Sequence, residues 1–297
     1  MISKLIAKVL EWLKDHTIGV LLTALGIGVA GATAGGVEAH KAKKINKRAL
    51  SIQQEALDKH EEQYQLTQQT LAQLGEAEKT AIDSFLFFAD TMARIQGRPQ
   101  MKTNIFSSVK LPSYEPEEIK CLSNDLQMAL AGVSGAGAGA LAGLAAFGAS
   151  AVVAAPAMIS TGIVLCVKGF GLKKKAIENE RQAKKLQKSV DEIVAFYAEL
   201  RGAANTFRNS VSAVYTKYNE CLLRVNSVLM TKNTWKEFTR TERKNVENTV
   251  LLARLLYQMC KTNVVIQQEE DEKIETINTG ELTKLEKQSA KLLEGIA

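Results

Sequence analysis

LQKSVDEIVAFYAELRGAANTFRNSVSAVYTKYNECLLRVNSV, residues 186–228, repeats its apolar positions in steps of four and three. Leu186, Val190, Ile193, Tyr197, Leu200, Ala204, Phe207, Val211, Val214, Tyr218, Cys221, Val225 and Val228 form one seam with no charged member. Such a seam keeps one helix face turned toward a partner helix through many turns, which is coiled-coil packing. A helix over 172–231 would run to nearly 90 Å at about 1.5 Å per residue. We expect Leu186, Val190, Ile193, Tyr197, Leu200, Phe207, Val211, Tyr218 and Val225 to form an assembly seam. Its partner would be residues 43–97 of the same chain, running antiparallel, or another copy.

Residues 43–97 read as the second long helix. Leu50, Leu57, Tyr64 and Leu71 recur every seven residues, and Gly97-Arg98-Pro99 ends the run. Glycine leaves the helical region readily there, and proline cannot continue the ladder. A proline-containing loop is expected over 98–125. A capping box at Thr239–Glu242 opens a further helix over 239–266, because hydroxyl and carboxylate can satisfy each other's backbone donors. The segment 267–297 reads as a charged, exposed tail. With four prolines in 297 residues and no alternating β-branched run, the fold class is all-α.

Between the two long helices lies the most unusual segment. Leu126 to Val167, 42 positions, contains no Asp, Glu, Lys, Arg or His. One bilayer crossing takes roughly 20 apolar residues, so this run could cross twice as a helical hairpin over 126–170. Gly135, Gly139 and Gly143 stand four apart and would form one bare face for helix packing in lipid. Residues 17–37 are likewise uncharged, with Ala24, Gly28, Ala32 and Gly36 at the same spacing, and read as a transmembrane anchor. Residues 1–16 resemble an interfacial amphipathic helix, with Trp12 as boundary anchor. Ala32-Thr33-Ala34 also fits a cleavage site for a signal peptide. Glu11 and Asp15 before the segment, and Lys41, Lys43, Lys44, Lys47 and Arg48 after it, favour an uncleaved anchor with the body inside.

The net charge of +6 gathers beside apolar runs rather than among aromatic residues. That distribution suits anionic headgroups and argues against nucleic acid as a partner. Cys121, Cys166, Cys221 and Cys260 are widely spaced and His16, His40 and His60 isolated, so neither a disulfide framework nor a metal site is expected. Glycines 132, 135, 137 and 139 imitate a phosphate loop only by number. No GK[ST] follows, and no nucleophile–base motif occurs. We therefore expect no enzyme and no cofactor.

LAQLGEAEKTAIDSFLFFADTMARIQGRP (71–99) and ENTVLLARLLYQMCK (247–261) resemble a bacterial family of uncharacterised proteins, sometimes loosely labelled chemotaxis proteins. The resemblance implies an N-terminal anchor, a Gly/Ala-rich middle and long helices, but no activity. By architecture the chain is also similar to α-helical pore-forming proteins. These readings together predict a long antiparallel helical bundle with an N-terminal transmembrane helix and a hydrophobic hairpin. It would sit in the bacterial inner membrane with its bulk cytoplasmic, oligomerise, and perturb the lipid bilayer. The alternative is a membrane-anchored coiled-coil scaffold that recruits a soluble protein partner and makes no pore.

Overall fold

The computed structural model describes residues 36–99, 112, 114–131, 172–268 and 271–296. Most of these are helical. The elements are α1 (Gly36–Ala93), α2 (Pro116–Ala131), α3 (Leu172–Val228), α4 (Arg240–Cys260), strands β1 (Val265–Gln268) and β2 (Asp271–Ile277), and α5 (Thr279–Ile296). A 3-10 turn at Trp235–Glu237 precedes α4. Among the described residues, no helix is long and apolar enough to cross a membrane. The expected helix 1–16, nearly all of the anchor 17–37 and the hairpin beyond Ala131 lie outside the described residues.

The described residues group into two compact units. The first contains α1 up to Gln69 and α3 up to Leu200; the second contains α1 from Thr70, α3 from Arg201, α2, α4 and α5. Within the first unit the two long helices run parallel, not antiparallel. Asn46 bonds to Asn179 and Lys59 to Asp191, separations of 133 and 132 residues. A near-constant difference between partners is the signature of parallel strands of sequence; an antiparallel pair would hold the sum constant. In the second unit Gln73 pairs with Arg208, Ser84 with Tyr218 and Arg94 with Asn226, at separations of 135, 134 and 132. Heptad periodicity looks the same in either direction, so apolar spacing alone did not fix the polarity.

The expected seam of α3 is buried from Leu186 to Val225. Opposite it in the first unit, α1 presents small residues, with Ala42, Ala49 and Ala56 buried at seven-residue spacing. Ala56 packs with Leu186 and Val190. Small side chains allow the two backbones to approach closely. The stripe read from Leu50, Leu57, Tyr64 and Leu71 is only partly the packing face, since Leu50 is exposed. In the second unit the seam becomes aromatic. Phe85, Phe88, Phe207 and Tyr218 are fully buried, and Phe88 lies 6.2 Å from Tyr218, ring to ring.

Several boundaries differ from expectation: α1 spans Gly36–Ala93 rather than 43–97, and α3 ends at Val228 rather than 231. The loop assigned to 98–125 ends early, because Pro116 opens α2. Proline suits a first helical turn, whose N–H groups have no intrahelical acceptor. Glu118 reaches back 2.8 Å to the Glu115 backbone N–H and adds a cap. α4 stops at Cys260 rather than continuing to 266, and β1 follows. The segment 267–297 is not a featureless charged tail. It carries β2, paired with β1, and α5, which buries Leu282, Leu285, Ser289, Leu292 and Ile296 in steps of three and four. The run Glu269-Glu270-Asp271-Glu272 masks that stripe in the composition of the segment.

The parallel register is testable by cross-linking. Ala49→Cys with Ala183→Cys, in a Cys121→Ser background, joins positions in register with the 134-residue separation of Ser84 and Tyr218. Oxidation is expected to close one intramolecular disulfide, detected by mass spectrometry after non-reducing proteolysis. Both introduced thiols remaining free in the folded protein would contradict the register.

Candidate functional site

The second unit concentrates its polar chemistry around α4. The sequence Thr239-Arg240-Thr241-Glu242 starts this helix as expected, with the Thr239 hydroxyl accepting from the Glu242 N–H and the Glu242 carboxylate accepting from the Thr239 N–H. Lys232 lies 2.8 Å from the same carboxylate. Its hydrogen bond, then that of the Thr239 backbone, holds Glu242 below the usual carboxylate range. Before the cap, the chain is tied to the end of α1. Gln96 donates to the Asn233 carbonyl at 2.8 Å, and Trp235 donates to the Gln96 carbonyl at 2.9 Å. Gly97, at φ +70°, makes the turn that a side chain would strain. Arg243 then covers the Trp235 ring at 5.5 Å.

Inside its first turn α4 is buried on nearly all sides from Asn248 to Tyr257. Its most demanding residue is Arg254, 1 % exposed. The guanidinium Nε donates to the Tyr114 carbonyl at 2.8 Å, and Nη2 stands 3.9 Å from Glu115. The segment leading into α2 thus supplies both a backbone acceptor and a carboxylate to a buried cation. Beside it Tyr257 packs its ring 4.5 Å from Tyr114 and 6.4 Å from Phe85. This layer joins α1, the α2 entry and α4 through aromatic contact.

At the last residue of α4 the arrangement changes character. Cys260 is fully buried and its Sγ lies 3.8 Å from the Glu78 carbonyl. Glu78 is itself fully buried, and neither oxygen of its carboxyl group has a hydrogen-bond partner among the described residues. Burial drives its pKa well above the ordinary carboxylate value, so the neutral acid is favoured. Burial also pushes the Cys260 thiol well up, with Glu78 adding to the effect. A protonated acid beside a protonated thiol is poor equipment for nucleophilic attack, which requires a thiolate. Among the described residues no group of His, Cys, Asp and Glu could hold a metal ion.

The first unit holds a second polar feature, within the α1–α3 seam. His60 stacks on Tyr64 at 6.1 Å with planes 6° apart, and tilts against Tyr197 at 5.8 Å. The Tyr197 hydroxyl and His60 Nε2 are 3.4 Å apart. Burial lowers the imidazole pKa, and Glu61 opposes that effect.

Residues expected to act in membrane packing are distributed unevenly. Gly36 is the first residue of α1, whereas Ala24, Gly28, Ala32, Gly135, Gly139 and Gly143 lie outside the described residues. The assembly residues Leu186, Val190, Ile193, Tyr197, Leu200, Phe207, Val211, Tyr218 and Val225 are all buried within this chain. Neither Glu78 nor Arg254 stands out in the sequence, and His60 reads there only as an isolated histidine. Glu78 was legible as a charge at seven-residue spacing with Leu71, Phe85 and Met92, all buried. No protein family, curated protein or solved structure matches this chain, so function is argued from its own residues.

Two substitutions test how α4 is held. Arg254→Ala leaves the Tyr114 carbonyl without its donor and should cost about 2 kcal/mol. Thr239→Ala removes the cap and should cost about 1 kcal/mol. Urea denaturation followed by circular dichroism measures both, and a smaller loss for Arg254→Ala than for Thr239→Ala would contradict this hierarchy.

Proposed function

We propose that this protein acts at a lipid bilayer, lodging the segment Leu126–Val167 in it and perturbing or permeabilising the membrane as an oligomer. The observation that carries this reading is the sequence of that segment, 42 positions without an ionisable side chain between strongly charged helices. Burying such a run in lipid recovers the hydrophobic free energy that water exposure would forfeit. The descending half is weakly apolar. Leu126, Leu130, Val133, Leu141 and Leu144 together supply only about −2 kcal/mol at −0.3 to −0.6 kcal/mol each. Insertion is therefore marginal for one copy, and packing through Gly135, Gly139 and Gly143 would favour association within the bilayer. In this reading residues 126–170 form the helical hairpin, residues 17–37 the anchor, and Ala24, Gly28, Ala32 and Gly36 its packing face. Basic residues Lys41 to Arg48 hold the following helices on the cytoplasmic side of a bacterial inner membrane. No catalytic residue or cofactor enters the mechanism.

A specific observation favours a second reading. The α3 seam that could have joined copies is buried within the chain, which leaves no open heptad stripe there for self-assembly. A membrane-tethered scaffold with a soluble protein partner requires none.

Dye release from vesicles of phosphatidylethanolamine and phosphatidylglycerol separates the two. Release by the full chain, lost with Gly139→Leu, is the expected result. Tight vesicle binding without release supports the scaffold. Absence of both binding and release would overturn the membrane reading altogether.

A further inference from the structure

Each unit holds a titratable group within its helix packing, half-buried His60 in the first and fully buried Glu78 in the second, and the two have opposite charge chemistry. In the first unit the group is His60, held between the rings of Tyr64 and Tyr197. Among the described residues, these charged and titratable groups stand near it. α1 contributes Tyr64, Glu61 and Lys59, and Lys59 is committed to Asp191 of α3 at 2.6 Å. α3 contributes Tyr197 at the ring itself, fully buried. Tyr197 is an uncharged partner, so a protonated imidazole would gain no carboxylate from α3 at this position.

In the second unit the group is Glu78. From α4 it meets Cys260, an uncharged thiol. The register with α3 brings the level of Val211 and Val214, both fully buried and neither titratable. On its own helix, Lys79 is turned to Asp83 at 3.2 Å. Cys260 is also the last residue of α4, and the C-terminal end of a helix carries partial negative charge that disfavours a nearby carboxylate.

We propose that the two units answer protons in opposite senses, so that acid loosens the first unit at His60 while alkali loosens the second at Glu78. The proposal stands independently of the membrane reading. An imidazole with a depressed pKa contributes its stability fully above the ordinary value of 6.5 and loses it as pH falls through the lower folded value. A carboxyl group with a raised pKa contributes fully below the ordinary value of 4.5 and loses its contribution as pH rises through the higher folded value. Acidification therefore weakens the α1–α3 pair of the first unit and leaves the α1–α4 contact of the second intact.

Hydrogen–deuterium exchange on the full chain, corrected for intrinsic exchange, tests this at peptide resolution. Between about pH 7 and about pH 5, peptides from 41–69 and 176–200 should lose protection several-fold. Between about pH 5 and about pH 9, peptides from 70–93 and 240–260 should do so as pH rises. His60→Phe keeps the ring stack without a titratable nitrogen and should abolish only the acid response. Glu78→Gln keeps the shape without the charge and should abolish only the alkaline one. A flat profile in either unit, or an unchanged response in the matching variant, overturns the proposal. NMR titration of the His60 ring in the unsubstituted chain provides a check that needs no variant. A midpoint below 6.5 is expected, and one at or above it refutes the acid arm.

Discussion

The parallel register between α1 and α3 governs what every other element can do. Partners in each unit stay between 132 and 137 residues apart in sequence, so each heptad of one helix meets the corresponding heptad of the other. Small residues at Ala42, Ala49 and Ala56 permit close approach in the first unit, and large rings at Phe85, Phe88, Phe207 and Tyr218 fill the seam in the second. Burial of one such ring contributes about 1.5–3 kcal/mol. The aromatic half has more apolar area to offer, and it is also where further helices pack.

Polar groups inside the second unit fall into two kinds. Arg254 has acceptors placed for it, and removal of either side would leave a group stranded in a dry interior. Glu78 has none among the described residues, so it is tolerated as the neutral acid rather than stabilising as an ion. A leucine at that position would pack without this constraint, and retention of an ionisable group in a core introduces dependence on pH. The seam of the first unit shows the milder form of the same principle. His60 is half-buried, shares its ring faces with two tyrosines and meets a hydroxyl rather than a carboxylate.

These features describe a body built for stable helix packing, while the segment joining α2 to α3 has the composition of something else. Helices whose exposed faces are laced with Lys, Glu and Gln need water around them. An uncharged Ala/Gly run needs its backbone satisfied by itself and its surface covered. The contrast between charge-rich and charge-free segments in one chain supports the membrane proposal more strongly than any single residue.

Sequence alone determined the helical class, the seam from Leu186 to Val225, the turn at Gly97 and the capping box at Thr239. Each depends on periodicity or on partners within a few residues. It did not reveal α2, where Pro116 looked like a loop residue, or α5, whose apolar stripe was hidden among charges. Tertiary structure decided the polarity of the long pair, because hydrophobic spacing is symmetric under reversal and only contacts such as Asn46–Asn179 and Arg94–Asn226 break that symmetry. It also decided the meaning of Glu78, His60 and Arg254, since whether a charge is solvated, paired or stranded depends on what distant parts of the chain bring beside it.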